Sequence, residues 1–394
     1  MTIVQINSTC GMGSTGKICL SVSQLLTNKQ IENYILYTHG ESQYPLGIKL
    51  TKGKYIKFQA LKSRVFGNYG FNSKKITKSL ISKLNEISPD VVHLHNLHSH
   101  DCNLEMLFKY FKETGVKLYW TFHDCWAFTG YCPHFDMIGC DKWKTGCYDC
   151  VQRKEYSWFF DRSKKLYEKK KELFKGLDLT IITPSEWLAG LVKESFLKDY
   201  EVKVINNGID LDVFKPTEGD FIKRYGLENK HIVLGVAFGW GPKKGLDCFI
   251  ELSKRLPNNY QIVLVGTNES VDKQLPDNII SIHRTQNQKE LAEIYTSADV
   301  FVNCTREENY PTVNMESLAC GTPVLTFKTG GSPEIIDETC GSVVAKNDID
   351  ATEKEIIRIC EEKPYSQANC LEKAKSFDMN DRFKEYVEFY GKQN

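Results

Sequence analysis

The sequence predicts an α/β protein with two parallel-sheet domains, and three observations lead to this fold class. Its 394 residues exceed the roughly 250 to 300 residues at which a single hydrophobic core stops growing. Short apolar runs of strand length alternate with longer amphipathic runs, which is typical of parallel sheets covered by helices. Glycine-rich loops follow several of these runs, at the sheet edge where open parallel sheets bind ligands. We therefore expect two domains, each built on a parallel sheet covered by helices.

The first half of the chain predicts five strands, at residues 2–7, 33–38, 91–96, 117–122 and 179–183, with a helix at 16–28 after the first strand. The second half predicts six strands and three clear helices. The strands are 202–205, 231–238, 260–265, 279–283, 300–304 and 323–327, and the helices are 248–255, 288–297 and 311–320. We assign an N-terminal domain to 1–200, a C-terminal domain to 201–379 and a closing helix to 380–394, with the junction near 205–215. The closing helix is free to pack back on the N-terminal domain.

Composition excludes several classes of protein. Hydrophobic residues make up 41% and charged residues 26% of the chain, which excludes disorder, collagen and coiled coil. No uncharged apolar run approaches the roughly 20 residues that cross a bilayer. The first residues resemble no signal peptide, so a cytoplasmic protein is expected.

Charge is distributed unevenly along the chain. The first 200 residues carry 28 basic and 19 acidic residues, a charge of +9, against 23 and 31 in the remainder, a charge of −8. The basic excess lies mainly in 49–78 and 153–175, which also carry aromatic residues, among them Tyr55, Phe58, Phe66, Tyr69, Phe71, Trp158, Phe159 and Phe160. Basic and aromatic residues together suit an anionic membrane surface or nucleic acid. A solvated helix face with lysine stems over apolar surface explains them equally well.

Five of the fourteen cysteines lie within 26 residues: Cys125, Cys132, Cys140, Cys147 and Cys150. Cys147 and Cys150 have the C-x2-C spacing that tetrahedral zinc favours. In a reducing compartment such a group indicates metal rather than disulfides. The last four cysteines are therefore candidate ligands of a structural zinc, and the alternatives are free thiols or an oxidised pair.

The loop after the first strand contains Gly11, Gly13 and Gly16 in the G-x-G-x-x-G pattern, which lets backbone approach a phosphate at a helix N-terminus. It fits two sharper motifs incompletely. A P-loop needs Ser or Thr where this chain has Ile18, and a dinucleotide fold needs an acidic residue at the end of the second strand, which ends Tyr37-Thr38-His39-Gly40. Tight strand-to-helix packing is the remaining explanation.

In the second domain, Glu308 precedes a helix that is predicted to open at Pro311, and Glu316 follows eight residues later. Unpaired amides at that helix start form an anion site, while the carboxylates suit sugar or ribose hydroxyls. A spacing of roughly 10 Å along the helix is too wide for a retaining glycosidase pair, whose carboxyls are about 5 Å apart. Glu316 could also be purely structural.

Three further features lie at predicted strand ends. Lys244 belongs to the loop Gly239-Trp240-Gly241-Pro242-Lys243-Lys244-Gly245, where a lysine can neutralise a diphosphate. His123 and Asp124 close a first-domain strand, and His123 is either functional or a buried core residue. His93 and His95 would share one strand face, but no carboxylate completes a metal spacing, so an acceptor pocket or packing is favoured.

Five motifs, in order over nearly the whole chain, carry a resemblance to a known family. They are Thr183-Pro184-Ser185-Glu186-Trp187-Leu188, the stretch 205–216, Lys244-Gly245-Leu246-Asp247, the Glu308 to Glu316 pair at E-x7-E spacing, and Gly330-Gly331-Ser332-Pro333-Glu334. With them the chain resembles the retaining glycosyltransferases of the two-Rossmann-domain type called GT-B, in the large family 4 of the sequence classification. The stretch 123–130 with the cysteine-rich segment 125–150 is similar to a bacterial subgroup that builds capsule, O-antigen or exopolysaccharide units.

The resemblance implies roles for individual residues. Glu308 holds hydroxyls of the donor sugar, Lys244 neutralises the diphosphate and His123 lines the reaction centre. The remaining donor-binding residues are Gly13, Lys243, Asn309, Tyr310, Pro311, Thr312 and Glu316, of which Glu316 holds the ribose. His95 and Asp124 are assigned to the acceptor. Relatives commonly carry Arg where this chain has Gly239, so either Lys243 supplies the second charge or the leaving group is stabilised less.

The expected function is transfer of a sugar from a nucleoside-diphosphate sugar to a saccharide acceptor, lipid-linked at the inner membrane surface, with retained anomeric configuration, in surface polysaccharide biosynthesis. A hexosyltransferase of class EC 2.4 is favoured. No cofactor is expected for catalysis and no nucleic acid as partner. The protein is expected to be cytoplasmic and peripheral at the inner face of the plasma membrane. The alternative is a non-catalytic nucleotide-sugar or nucleic-acid binder on the same fold.

Overall fold

The computed structural model describes residues 1–51, 53–98 and 100–391. The chain divides into two compact units. The first comprises Met1–Ile205 and the segment from Phe383 onward, and the second comprises Asn206–Arg382. Three parts of the predicted segments lie outside the described residues: Lys52 of the basic stretch 49–78, Ser99 of the histidine-rich run, and residues 392–394 of the closing helix.

The described residues of the first unit form a seven-stranded sheet in the order β3-β2-β1-β4-β5-β6-β7, and all neighbouring strands are parallel. The strands are β1 (Thr2–Ile6), β2 (Glu32–Tyr37), β3 (Gly47–Lys49), β4 (Val91–Leu94), β5 (Lys117–Thr121), β6 (Leu179–Thr183) and β7 (Glu201–Val204). The helices are α1 (Gly13–Asn28), α2 (Gly53–Phe66), α3 (Lys74–Ile87), α4 (Leu104–Thr114), α5 (Arg153–Tyr156), α6 (Ser163–Leu173) and α7 (Glu186–Glu194).

Burial explains the composition of these elements. All residues of β4 and β6 are buried, as expected for central strands of a sheet covered on both faces. Helix α4 buries Leu107, Phe108 and Phe111 on one stripe. It begins after Asn103, whose side chain accepts a hydrogen bond from the Met106 amide at 3.0 Å. The sequence pattern and the sheet therefore agree in this unit.

The closing helix α15 (Met379–Gly391) contributes aromatic residues to the first unit. Tyr386 and Tyr390 are fully buried. The Tyr390 hydroxyl hydrogen bonds His93 Nδ1, and its ring centroid lies 5.3 Å from that of Tyr119. These contacts occupy the side of the sheet near β4 and β5.

The described residues of the second unit form a six-stranded parallel sheet in the order β10-β9-β8-β11-β12-β13. The strands are β8 (His231–Val236), β9 (Tyr260–Val265), β10 (Ile279–Ile282), β11 (Val300–Asn303), β12 (Val324–Phe327) and β13 (Gly341–Val344). The helices are α8 (Phe221–Tyr225), α9 (Leu246–Arg255), α10 (Glu269–Asp272), α11 (Gln288–Thr296), α12 (Thr312–Ala319), α13 (Ile349–Glu362) and α14 (Gln367–Ala374).

The predicted fold class is confirmed, with both sheets parallel and both units of Rossmann-like topology. Four details differ from the prediction. The strand at 201–204 pairs with β6 in the first sheet, so a boundary at 200/201 cuts one strand too early. Strands β3 and β13 were not predicted, helix α1 begins at Gly13 instead of residue 16, and α12 begins at Thr312 with Pro311 as its N-cap. These differences concern sheet edges and helix ends, where sequence signals are weakest.

Among the described residues, no helix has both the length and the apolar character that a membrane crossing requires.

Candidate functional site

The loops with predicted function in the second unit follow three neighbouring strands. Lys243 and Lys244 follow β8, residues 304–311 follow β11, and the Gly330-Gly331 turn follows β12. Because β11 lies between β8 and β12, the carboxyl ends of these strands bring the three loops to one edge of the sheet.

Lys244 and Glu308 form an ion pair at this edge. Lys244 Nζ donates to Glu308 Oε2 at 2.9 Å, and the Asn309 amide donates to Glu308 Oε1 at 3.1 Å. About a third of the Lys244 side chain and a fifth of the Glu308 side chain are exposed, at 31% and 22%. Both charged groups therefore remain accessible to a ligand while their positions are fixed by hydrogen bonds.

The glycine after Lys244 allows this geometry. Lys244 ends a single 3-10 turn, Pro242–Lys244, and Gly245 follows with φ of +74°. A Cβ at Gly245 would lie 2.5 Å from the Cys304 side chain and carbonyl, so another residue would push the lysine turn away from the end of β11.

Arg306 joins the same two loops. Its guanidinium donates to both carboxylate oxygens of Asp247 at 2.7 Å and also to the Pro242 carbonyl, while its amide donates to the Lys243 carbonyl at 2.9 Å. The hydrogen bonds from Arg306 lower the pKa of Asp247. Arg306 is not among the predicted site residues. Its position after a strand, with an acidic residue in the K-G-L-D motif, is the signal that could have found it.

Lys243 has a carboxylate partner of its own. Its Nζ lies 3.1 Å from Glu307 Oε2, and the Glu307 side chain is only 2% exposed. Lys243 and Lys244 thus project beside two consecutive carboxylates, so the loop carries two cations whose charges are locally balanced.

Helix α12 starts at the end of this loop and carries Glu316. Asn309, Tyr310 and Pro311 are buried ahead of the helix, and Thr312 is its first residue. The first amides of a helix have no intrahelical acceptor and present partial positive charge. Glu316 lies further along and accepts a hydrogen bond from the buried Tyr295 hydroxyl at 3.2 Å. The Glu316 carboxylate is therefore positioned by the Tyr295 hydroxyl, whereas the Glu308 carboxylate is positioned by Lys244.

In the first unit, the loop after β1 turns directly into α1 at Gly13. The Gly11 amide donates to the Gly16 carbonyl at 3.0 Å, and Gly16 lies against the Thr9 side chain. No atom lies within 4 Å of a Cβ built on Gly13, so backbone is open to a ligand there. Gly16 is thus packed against its neighbours, whereas the backbone at Gly13 is uncovered; binding of a phosphate there stays a prediction.

His95 and His123 belong to a buried hydrogen-bond chain that begins at Gln5. Gln5 Nε2 donates to the Cys19 carbonyl at 2.9 Å, which leaves its Oε1 as acceptor for His95 Nε2 at 3.3 Å. Burial, followed by the neighbouring His93 and His123, lowers the pKa of His95 well below 6.5. Burial also lowers the pKa of His123 to about 4, against the opposing effect of Asp124. Both rings are therefore neutral near pH 7.

The hydrogen bonds between Gln5 and His95 and between His95 and His123 determine which ring nitrogen of each histidine carries the proton. Neutral His95 carries its proton on Nε2, so its Nδ1 accepts from His123 Nε2 at 3.2 Å. His123 then has an unprotonated Nδ1, which is a hydrogen-bond acceptor. Both histidines are predicted site residues but Gln5 is not, because Gln5 lies on β1 and approaches His95 only through strand pairing.

Asp124 pairs with His98. Asp124 Oδ2 lies 2.8 Å from His98 Nε2, and Oδ1 accepts from the Trp126 amide at 2.8 Å. Burial alone would raise the pKa of Asp124, but His98 outweighs it and the pKa falls to about 2. Burial likewise opposes charge on His98, and Asp124 overcomes it and raises the pKa of His98 above 6.5.

The His98–Asp124 pair predicts a stability window in pH. Asp124 stabilises the fold above its ordinary pKa of 3.8, and this contribution is lost as pH falls towards 2. His98 stabilises the fold below 6.5, and this contribution is lost as pH rises through its raised pKa. We expect a coupling of about 1 to 2 kcal/mol near pH 5.5 that declines at higher and lower pH. A double-mutant cycle with His98→Asn and Asp124→Asn in urea unfolding measures it, and a coupling independent of pH would contradict the assignment.

The four predicted zinc ligands surround one cavity. The residues, here called the four-cysteine cluster, are Cys132, Cys140, Cys147 and Cys150. The cavity holds about 240 Å³. Among residues 1–51, 53–98 and 100–391, no three His, Cys, Asp or Glu side chains stand in a metal-binding arrangement, so the four sulfurs surround the cavity without converging.

Comparison with known proteins identifies the class. Residues 20–213 match the family profile described as Glycosyltransferase Family 4, and residues 220–377 match the profile described as Glycosyl transferases group 1. The chain is a glycosyltransferase of the GT-B fold, an enzyme of class EC 2.4. The predictions of fold class and of enzyme class are thereby confirmed.

One similar protein and two similar solved structures agree with this family assignment. The chain is 25% identical over 388 residues to WcaC of Escherichia coli (strain K12), assigned as a colanic acid biosynthesis glycosyl transferase, with 89% of this chain and 88% of that protein covered. Sucrose-phosphate synthase from Thermosynechococcus elongatus superposes with a TM-score of 0.72 at 16% identity, covering 99% of this chain and 98% of that one. Anabaena Alr3699/HepE in complex with UDP-glucose superposes with a TM-score of 0.70 at 14% identity, covering 100% of both chains. At these identities the two structures show a shared fold.

Proposed function

We propose that this enzyme transfers a sugar from a nucleoside-diphosphate sugar to a saccharide acceptor, with retained anomeric configuration, in the synthesis of a bacterial surface polysaccharide. The observation that carries the proposal is the Lys244–Glu308 pair at the carboxyl edge of the second sheet, beside the start of α12. The assignment of WcaC to colanic acid biosynthesis supports the pathway, and the UDP-glucose complex of Alr3699/HepE supports the class of donor.

The Lys244–Glu308 pair suits the changes in charge that accompany transfer of the sugar. The bond from the anomeric carbon to the diphosphate oxygen breaks, and a bond from that carbon to the acceptor oxygen forms on the same face. Negative charge grows on the diphosphate, which takes the acceptor's hydroxyl proton. The Lys244 ammonium and the first amides of α12 stabilise that charge. Glu308 accepts hydrogen bonds from hydroxyls of the donor sugar and so orients it.

The first unit contributes a neutral imidazole. In the proposed reaction His123 lines the reaction centre as a neutral ring, while Gln5 and His95 keep its proton on Nε2. A charged imidazolium at this point would disfavour the positive charge that develops on the sugar ring, and burial prevents it. His95 thus acts as a positioning residue for His123, and Gly13 offers backbone to the donor phosphates.

A turnover assay tests the proposed function. Thermal shift with UDP, GDP and ADP identifies the preferred base, because a ligand of the native state raises the melting temperature. The matching radiolabelled sugar nucleotides are then incubated with a synthetic polyprenyl-diphosphate saccharide. We expect labelled product together with free nucleoside diphosphate, and NMR of the product should show the donor's anomeric configuration. Saturable binding without diphosphate release would instead identify a non-catalytic binder.

We also propose that the first unit contacts an anionic membrane surface, where a lipid-linked acceptor would reside. The patch consists of α2 and the loop 158–160, which are joined by a 2.7 Å hydrogen bond from the Trp158 amide to the Arg64 carbonyl. Phe58 and Phe159 are 61% and 64% exposed, and α2 carries several lysines. Exposed aromatic rings beside cations favour the interface of anionic lipid.

Vesicle sedimentation measures this contact. We expect binding to vesicles of phosphatidylglycerol and phosphatidylcholine, weaker binding in high salt, and little binding to phosphatidylcholine alone. Replacing Phe58 and Phe159 by Ser should reduce binding several-fold, on the order of the apolar area lost. Phe238→Ser is the matched control, because Phe238 is fully exposed but lies in the second unit. Equal loss in the control would contradict a patch on the first unit.

A further inference from the structure

The turn that carries Lys243 and Lys244 has little internal support. It is a single 3-10 turn, Pro242–Lys244, with Gly241 directly before it and Gly245 directly after it. Glycine has more conformational freedom than other residues, and one 3-10 turn contributes few hydrogen bonds. The direction in which the two lysines point therefore depends on contacts from outside the turn.

Arg306 supplies such contacts from the loop after β11. Its amide donates to the Lys243 carbonyl at 2.9 Å, and its guanidinium donates to the Pro242 carbonyl. One residue thus binds two consecutive carbonyls of the turn. Arg306 also directly precedes the two carboxylates that pair with the lysines. It therefore fixes the lysine turn relative to the loop that carries both carboxylates.

All five N–H groups of the Arg306 guanidinium are hydrogen bonded. One donates to the Pro242 carbonyl, two donate to the carboxylate oxygens of Asp247 at 2.7 Å, and one donates to Cys248 Sγ at 3.2 Å. The Nε group donates to Asn347 Oδ1 at 2.6 Å. Arginine has five such donors, so none remains for a phosphate. The guanidinium, with 11% of the side chain exposed, thus joins the lysine turn and α9 to the loop that follows β13.

We infer that Arg306 is a positioning residue for sugar transfer, which holds Lys244 at the place where the diphosphate leaves. The inference rests on the proposed function, in which the Lys244 ammonium stabilises the charge on the leaving diphosphate. A misplacement of about 1 Å can lower turnover by up to about a hundredfold, because a preorganised charge must lie at the correct distance.

The planar guanidinium is required for this role, and a positive charge alone is not sufficient. Arg306→Lys keeps the charge but offers three donors on a single nitrogen. That nitrogen cannot reach the Pro242 carbonyl, both oxygens of Asp247 and the Asn347 side chain at once. The substitution therefore frees the lysine turn while leaving the net charge of the site unchanged.

Nucleotide affinity and turnover together test the inference. Calorimetry with UDP, GDP and ADP measures affinity for the leaving group, and the transfer assay gives kcat and KM for the matching sugar nucleotide. We expect Arg306→Lys to weaken nucleotide binding about threefold to tenfold and to lower kcat about tenfold or more. Arg255→Lys is the matched control, because Arg255 also binds two carboxylates, Glu251 and Asp350, and should leave both values unchanged.

A double variant distinguishes positioning of Lys244 from a general structural role. In Lys244→Ala the ammonium is absent, so adding Arg306→Lys should change nucleotide affinity and kcat by about threefold or less. A purely structural role would lower both values by the same factor in either background and would overturn the inference. Melting temperatures of all variants identify any loss of folded protein.

Asp247→Asn tests the same arrangement through a milder change. The Asp247 side chain is 61% exposed, and asparagine offers one acceptor oxygen in place of the two that bind the guanidinium. We expect kcat to fall about twofold to fivefold, with little further loss when Arg306→Lys is added. Additive losses would show that the two residues act separately.

The single variants show which of the two proposals fails. Wild-type nucleotide affinity and kcat in Lys244→Ala would remove the phosphate contact from the proposed function. Impaired Lys244→Ala beside an unimpaired Arg306→Lys would leave the proposed function standing and overturn the role of Arg306 alone.

Discussion

Replacing Glu308 by glutamine is expected to lower the turnover number at least about tenfold while the fold remains intact. Both carboxylate oxygens accept hydrogen bonds, one from Lys244 Nζ and one from the Asn309 amide. A glutamine offers one acceptor oxygen, so its NH₂ group must face one of these two donors. The substitution therefore removes the negative charge and also disturbs the lysine that is proposed to meet the diphosphate.

The measurement separates this effect from misfolding. Turnover number, KM and melting temperature are compared for the wild type, Glu308→Gln and Glu251→Gln. Glu251 is a carboxylate of the same unit that pairs with Arg255 on the outer surface of α9, so its replacement should leave transfer unchanged. Wild-type turnover in Glu308→Gln would remove Glu308 from the reaction.

Replacing Gly330 by alanine is expected to destabilise the second unit by about 2 to 4 kcal/mol and to reduce transfer. Gly330 has φ of +55°, and a Cβ there would overlap the carbonyl oxygen of Glu308. The next residue, Gly331, donates its amide to the Asn309 carbonyl at 2.7 Å. The turn is thus packed against the backbone that orients Glu308, and a side chain must displace one or the other.

A second glycine isolates the steric part of this effect. Gly226 ends α8 with φ of +64°, and no atom lies within 4 Å of a Cβ built there. Gly226→Ala should cost only about 1 kcal/mol, which is the strain of a left-handed alanine. Denaturant unfolding of both variants gives the two free energies. Equal losses would mean that contact with Glu308 adds nothing at Gly330.

Much of the fold could be predicted from the sequence because central strands are buried on both faces and read as apolar runs. Strands β6 and β9 occur at the predicted residues. Strand β7 was assigned to the wrong domain because it lies at a sheet edge, where its alternating exposure says nothing about its partner. Strands β3 and β13 are three and four residues long, too short for a recognisable pattern.

The candidate site was predictable only in part, because its residues are brought together by contacts between strands that are distant in sequence. Glu308 and Lys244 belong to local motifs, so each could be recognised from its neighbours in sequence. Their contact, and the roles of Arg306 and Gln5, depend on which strands are adjacent. The bond between Arg306 and Asp247 spans 59 residues and that between Gln5 and His95 spans 90. Spacing along one chain cannot reveal such pairs.

The return of the chain to its first unit matters for anyone who wishes to study that domain alone. A gene fragment that stops after β7 would lack Tyr386 and Tyr390, so His93 and Tyr119 would lose their aromatic cover and face water. The domain is discontinuous in the gene although compact in space. A polypeptide meant to represent this domain therefore has to join the part that ends at Ile205 to the segment that begins at Phe383.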